Sequence, residues 1–354
     1  MARVALGSSP AACPAPLAEV ARVQLGHGSG GRMSAALLAE HFLPQLGNPV
    51  LSALGDGAVV PLASAELVVS TDTFVVSPLE FPGGNIGSLA VHGTINDVAM
   101  MGGRPRYLTA GFVLEEGLPF DLLDRVVATM AASALAAGVA LVTGDTKVVE
   151  RGKADGMFVN TTGIGELDAS FRPTPARARP GDAIIVSAPL GRHGMAIMSA
   201  REGIELEGGI ESDTAALPGL VERLRDAAGT DVHTLRDPTR GGLASALNEI
   251  AAASGTGMEI DAVSIPVPPV VAAACEILGL DPLYVASEGV LVAVVERARA
   301  PSALAALRGD SLGREAAVIG RVVSAHPGMV VLRTAVGGSR ILDLLPGDQL
   351  PRIC

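Results

Sequence analysis

The segment Val126-Val-Ala-Thr-Met-Ala-Ala-Ser-Ala-Leu-Ala-Ala-Gly-Val-Ala-Leu-Val-Thr-Gly-Asp145 decides the fold class. From Val126 to Gly144 it carries no charge and approaches the length of a membrane span. Its apolar content, however, is mostly Ala, interrupted by Thr, Ser and Gly, and an aspartate follows at once. A span needs about 20 strongly apolar residues. The segment therefore reads as two elements, a buried helix over 122–137 and a strand over 139–143. No membrane segment is expected.

Working outward, the same alternation recurs. Strands are predicted over 67–70, 107–114 and 157–164, and helices over 35–46 and 86–101. A stretch rich in Pro and Arg, 172–181, reads as a linker. A buried strand over 183–187 restarts the pattern, followed by helices over 194–202 and 215–228 and another ending at 253. Strand and helix pairs continue to 323. Alternation in both halves predicts two domains, α/β and α+β, and 354 residues suffice for both. The expected boundaries are a mobile Ala/Pro-rich extension over 1–22, a first domain over 23–170, a second over 181–325, and a tail over 326–354.

Composition narrows the function classes. Hydrophobic residues make up 49% and aromatics only 3%, so the core must be built from Ala, Val, Leu and Ile. The net charge of -11 argues against a nucleic-acid groove, which needs clustered Lys and Arg. Only two lysines, Lys147 and Lys153, stand among 26 Lys and Arg. A lysine kept in such a background points to chemistry that a guanidinium does not copy. Three cysteines far apart, with no CxxC pair, and a start without a signal-peptide core point to a reducing cytoplasm.

Four aspartates stand out: Asp56, Asp72, Asp97 and Asp145. Singly, each reads more readily as a turn or cap residue. Together, three of them close apolar runs and are expected at the edge of a sheet, where a cation must hold them. Mg²⁺ bridging nucleotide phosphates is the usual solution. His27-Gly-Ser-Gly-Gly31 offers backbone N–H groups to phosphate but lacks the Walker ending. Asp237-Pro-Thr-Arg-Gly-Gly242 reads equally as a phosphate approach or as a well-capped helix start. Cys354 ends the chain, behind Leu350-Pro-Arg-Ile353. The stretch from Leu342 can reach roughly 40 Å if extended, far enough to carry the thiol from another protein into the chain's own site.

These residues also carry a resemblance. His27-Gly-Ser-Gly-Gly31, Phe81-Pro-Gly-Gly-Asn-Ile-Gly87, Asn96-Asp-Val-Ala-Met-Met-Gly102, Gly144-Asp-Thr-Lys-Val-Val149, Arg236-Asp-Pro-Thr-Arg-Gly-Gly242 and Pro351-Arg-Ile-Cys354 closely resemble the HypE family of carbamoyl dehydratases, which mature NiFe-hydrogenase. The terminal motif is specific to that family. The aspartate motifs indicate only the wider aminoimidazole ribonucleotide synthetase superfamily. The resemblance runs from about residue 25 to the end. It implies the two-domain fold of that superfamily, with first-domain sheets paired in a homodimer and a flexible C-terminal tail. It implies ATP and Mg²⁺ as cofactors, with Asp56, Asp72, Asn96, Asp97, Asp145 and Thr146 at the nucleotide and Asp72, Asp97 and Asp145 on the metal. It implies HypF as carbamoyl donor and the HypC–HypD complex as acceptor of the cyano group. Cys354, Glu288 and Lys147 are then the catalytic candidates. Family members usually read Ala-Asn-Glu-Gly-Lys where this chain has Ala286-Ser-Glu-Gly-Val290. Two rival functions are another kinase or synthetase of the superfamily and a scaffold that only carries a thiol-bound group.

Overall fold

The computed structural model describes residues 31–37, 39, 58–62, 65–204, 206–347 and 350–354. Asp56, the 1–22 extension and His27 to Gly30 lie outside the described residues, as does most of the helix expected over 35–46, of which α1 (Arg32–Leu37) is described.

The deciding segment divides as expected, into a helix and a strand. Helix α3 (Phe120–Ala136) follows α2 (Ile86–Met100), and β6 (Ala140–Val149) follows α3. Among the described residues no helix is long and apolar enough to cross a membrane. Strand β6 outlasts its apolar run, because β5 (Gly103–Glu115) pairs with it in parallel as far as Glu115 and Val149. Asp145 therefore lies inside a strand. Asp72 likewise lies inside β2 (Ala65–Phe74), and Asp97 lies inside α2. The expectation that these aspartates close their elements is corrected. Backbone pairing, not side-chain polarity, sets where each element ends.

With β1 (Ala58–Leu62) and β7 (Met157–Leu167), these strands form a sheet in the order β1-β2-β7-β5-β6. A small hairpin, β3 (Glu80–Phe81) and β4 (Gly84–Asn85), leads into α2. Asn85 caps that helix by accepting from the Gly87 and Ser88 N–H groups. Every residue of α2 is buried except His92 and Asp97. A helix apolar all round is one enclosed on all sides. It lies across one face of the sheet, where a side chain in place of Gly163 would meet Thr94 at 2.9 Å. Among the described residues no helix covers the sheet's other face. There Asn160 donates to Thr73 at 2.9 Å, and the Thr162 and Thr71 hydroxyls meet at 3.0 Å.

The second sheet is covered on both sides. Its order is β14-β13-β10-β12-β8-β11-β9. The strands are β8 (Ala183–Val186), β9 (Val232–Arg236), β10 (Gly257–Asp261), β11 (Val292–Val295), β12 (Ala317–Val323), β13 (Val330–Arg333) and β14 (Ser339–Ile341). Ile184 and Val186 pack against Leu247 and Ile250 of α6 (Gly242–Ser254). Ile185 faces the opposite way, to Leu220 and Leu224 of α5 (Pro218–Ala228) and Leu307 of α8 (Ala300–Arg308). Strands β8 and β11 are buried throughout and read as unbroken apolar runs. β13 and β14 belong to this sheet, so the first part of the stretch 326–354 is built into the second domain, and its last strand ends at Ile341.

The halves join through shared core. Ala99 and Met100 of α2 pack with Phe171 of the linker and Leu220 of α5. Leu350 and Ile353 of the tail are buried with Ile86, Leu89 and Phe74, together with residues of α4 (Arg192–Glu202) and α7 (Pro269–Leu278).

Candidate functional site

The tail is folded inward. The Val75 N–H donates to the terminal carboxylate of Cys354 at 3.1 Å, and the Ser77 N–H to the Arg352 carbonyl at 3.1 Å. Arg201 of α4 donates to the carbonyls of Pro351 and Arg352, each at 2.7 Å, and to that of Ser77 at 2.6 Å. His193 Nε2 stands 2.6 Å from the Ile353 carbonyl oxygen. Arg352, at φ 59°, pairs with Asp155 and donates to the Val75 carbonyl at 3.2 Å. The last four residues thus run along the end of β2 as a paired segment, and Cys354 is left half-buried.

Arg240 is the cation at this point. Cys354 acts on its guanidinium most strongly, with Asp72, Glu288 and Asp97 adding to it, and together they raise its pKa against the loss of hydration. Its Nη2 lies 3.9 Å from Asp72 Oδ1. Asp97, on the open side of α2, accepts from the Ser70 hydroxyl at 2.8 Å. Desolvation raises the Asp72 pKa, and Arg240 partly offsets it.

Behind Arg240 lies a group of buried carboxyls. Glu288 is 2% exposed, and burial, then Asp237, Asp72 and Asp213, hold its pKa well above the usual carboxylate range. Burial also pushes Asp237 and Asp213 up to about 6 each. One oxygen on each of Glu288, Asp237 and Asp213 is buried with no hydrogen-bond partner. Such atoms are costly to keep in a folded protein and mark a functional site. The Asp213 Oδ1 accepts from the Glu288 N–H at 2.9 Å. A side chain at Gly289 would strike the Asp213 carbonyl, and one at Gly93 would meet Phe74 at 2.9 Å with Glu288 Oε2 behind it at 3.9 Å. Glycine at both positions lets these segments close around Glu288.

The structure sorts the candidates read from the sequence. Cys354, Glu288, Asp72 and Asp97 all bear electrostatically on Arg240, and Asp72 lies 3.9 Å from it. The amide of Asn96 donates to the Ala215 carbonyl at 3.0 Å and to the Glu288 carbonyl at 3.3 Å, and accepts from the Leu217 N–H at 2.8 Å. It braces the loop that carries Asp213. Register separates the rest. Asp72, Thr161, Ala110 and Gly144 form one row across the sheet. Asp145 falls in the next row, with Thr73, Asn160 and Gly111, and Lys147 two residues on. Those rows belong to the uncovered face. The side chains of Asp145 and Thr146 lie outside the described residues, and Lys147 is exposed.

The departures next to Glu288 have structural uses. Ser287 Oγ accepts from the Gly191 N–H at 2.8 Å, and Val290 is fully buried in the core of the second domain. The stretch 237–242 does not cap its helix as expected, because Gly241 stands at that cap and makes no side-chain bond there. Asp237 is freed for the carboxyl group. Sequence reasoning missed His193, Arg201 and Asp213. His193 and Arg201 stand at opposite ends of α4 and Asp213 in the loop after it, but their partners, the tail and Glu288, lie far along the chain, so no local spacing pattern reveals them.

Among the described residues no group of three or more His, Cys, Asp or Glu could hold a metal ion. Asp72 and Asp97 supply hard oxygen donors. A cation that keeps phosphate oxygens and water as its other ligands needs only one or two carboxylates, so these residues fit Mg²⁺ held jointly with a nucleotide.

Residues 54–167 match the model of the AIR synthase related protein N-terminal domain, and residues 179–332 match its C-terminal domain. The chain is 54% identical over 334 residues to the carbamoyl dehydratase HypE of Cupriavidus necator, covering 94% of this chain and 95% of that protein. It is 47% identical to the HypE of Escherichia coli K12, covering 94% and 99%. Among solved structures, HypE in complex with ATP superposes with a TM-score of 0.80 at 51% identity, covering 93% and 98%. A HypE–HypF complex gives a TM-score of 0.83 at 44% identity, covering 88% and 100%. Thiamine monophosphate kinase of Aquifex aeolicus, at 18% identity and a TM-score of 0.64, shares the fold.

Proposed function

The chain belongs to the HypE carbamoyl dehydratases of the AIR synthase related family, and from that premise we propose that it dehydrates a carbamoyl group carried on its own Cys354 to a thiocyanate. As a member of that family it is an ATP-dependent dehydratase of hydrogenase maturation. HypF loads the thiol, and the cyano group leaves for iron on a HypC–HypD complex. The observation that carries the reading is the inward tail, which brings Cys354 to Arg240, with Glu288 behind it.

An amide oxygen is a poor leaving group, so it must first become a phosphate ester. The carbonyl oxygen of carbamoylated Cys354 attacks the γ-phosphate, and ADP departs. The nitrogen then gives up its two protons, one as the imidate forms and one as phosphate leaves, and S–C≡N remains. Arg240 stands where negative charge gathers on the transferring oxygens. Glu288, once ionised, is a stronger proton acceptor than an exposed glutamate, and its Oε1 has no other partner. Asp72 and Asp97 would hold Mg²⁺, which neutralises the phosphate oxygens when bound.

Lys147 lies on the uncovered face of the sheet and reaches a nucleotide site through pairing of two such faces, so the working unit is a homodimer. The test is the intact mass of the protein after incubation with HypF, carbamoyl phosphate and Mg-ATP. An adduct one water lighter than carbamoyl, confined to Cys354, is expected. A protein that keeps the full carbamoyl mass with ATP present is a carrier and not a dehydratase.

A further inference from the structure

The last peptide carbonyl of the chain is held by a histidine that the dehydration chemistry does not call for. His193, at the start of α4, is fully buried. Its Nε2 lies 2.6 Å from the Ile353 oxygen and its Nδ1 2.7 Å from Ser212 Oγ. A carbonyl only accepts, so Nε2 carries the proton and Nδ1 accepts from the serine hydroxyl. Ser212 is fixed in turn. Its N–H donates to the Pro82 carbonyl at 2.8 Å, and its Oγ accepts from the Thr214 N–H at 3.1 Å. The edge of Phe81 closes on the ring, with centroids 5.5 Å apart and planes at 87°. Burial drives the imidazole pKa down to about 4, so the ring stays neutral.

Every contact on the Nδ1 side thus selects one tautomer and one orientation. The remaining donor points at the peptide that joins Ile353 to Cys354. A leucine or phenylalanine would fill this volume without burying a polar ring.

We propose that His193, set by Ser212, is a positioning residue that latches the Ile353 carbonyl and so holds Cys354 at Arg240 during dehydration, releasing it for loading. This rests on the reading of Cys354 as the acceptor thiol. The two stages need opposite tail positions, since a donor enzyme must reach the thiol and the buried carboxyls must then enclose it. One neutral hydrogen bond contributes about 1 kcal/mol net, enough to bias the tail inward and little enough to break. Arg201 adds charged donors on the preceding carbonyls. His193 acts on the carbonyl of the peptide next to the thiol.

The test needs no turnover. Full-length protein is alkylated with iodoacetamide, and modification is followed peptide by peptide so that Cys13 and Cys275 are scored apart from Cys354. His193→Ala is expected to speed Cys354 alkylation about fivefold to tenfold, the factor of one net hydrogen bond. His193→Gln, which keeps a donor near the Nε2 position, restores the slow rate. Ser212→Ala, which leaves the ring in place with its tautomer unset, falls between them and covers the case in which His193→Ala does not fold. In the assay with HypF, His193→Ala accepts carbamoyl at the normal rate and dehydrates it slowly. Equal alkylation rates in wild type, His193→Ala and Ser212→Ala at matched melting temperature overturn the latch. So does His193→Gln behaving like His193→Ala. If Cys354 is never carbamoylated while alkylation follows the expected order, the latch stands and the functional reading fails.

Discussion

The two faces of the first sheet are built to different rules. The face under α2 is a packed core that opens only at Asp72 and Asp97, and there the second domain brings Arg240 and Glu288. The other face carries Thr71, Thr73, Asn160 and Thr162 bonded to one another, with Asp145 and Lys147 along the edge strand. One face is packed within the chain and borders the segment that ends in Cys354. The other is polar and, among the described residues, uncovered, which suits contact with a second copy. On the proposed reading, a single chain assembles the acceptor side of the reaction and leaves part of the nucleotide side to a second copy.

Breaking the covered face should have the largest effect. Glu288→Gln removes the proton acceptor and should slow dehydration by about 10²–10⁴-fold while carbamoylation proceeds. The thiocarboxamide then accumulates, as read by mass. The uncovered face is challenged next by Thr73→Lys, which places like charges where two sheets meet. Such contacts cost several kcal/mol, so light scattering at micromolar concentration should show monomers, with Cys354 still docked. A smaller effect is expected for Asp97→Asn, which removes one carboxylate from the metal and should weaken Mg-ATP binding roughly tenfold by calorimetry.

The smallest effect is on stability, and its sign follows from the carboxyl group. Asp213 is raised from 3.8 to about 6 by burial. Between those values the folded chain keeps a proton that the unfolded chain has lost, so stability falls as pH rises through the window and levels off above it. Asp213→Asn removes that loss. It should stabilise the protein by roughly 1–3 kcal/mol at pH 7.5 and change little at pH 4, as thermal melts would show.

Much of this was legible in the chain. The 126–145 segment gave the layer type, because Ala and Thr exclude a span and Gly138 divides helix from strand. The aspartates and the terminal cysteine pointed to the chemistry proposed for the site. Two things were not legible. Register was hidden, because one residue decides which face of a strand a side chain takes. Asp72 and Asp145 therefore look alike in sequence and fall in adjacent register rows of the sheet. The latch was hidden as well, since His193 and Ser212 acquire meaning only when the tail, 160 residues beyond His193, folds back onto them.

The most direct test remains intact-protein mass after incubation with HypF, carbamoyl phosphate and Mg-ATP, run on wild type and Cys354→Ala side by side. The account predicts a wild-type adduct at Cys354 that is one water lighter than carbamoyl and appears only with ATP, and no adduct in Cys354→Ala. A dehydrated adduct in Cys354→Ala, or one on Cys13 or Cys275 of the wild type, would contradict it.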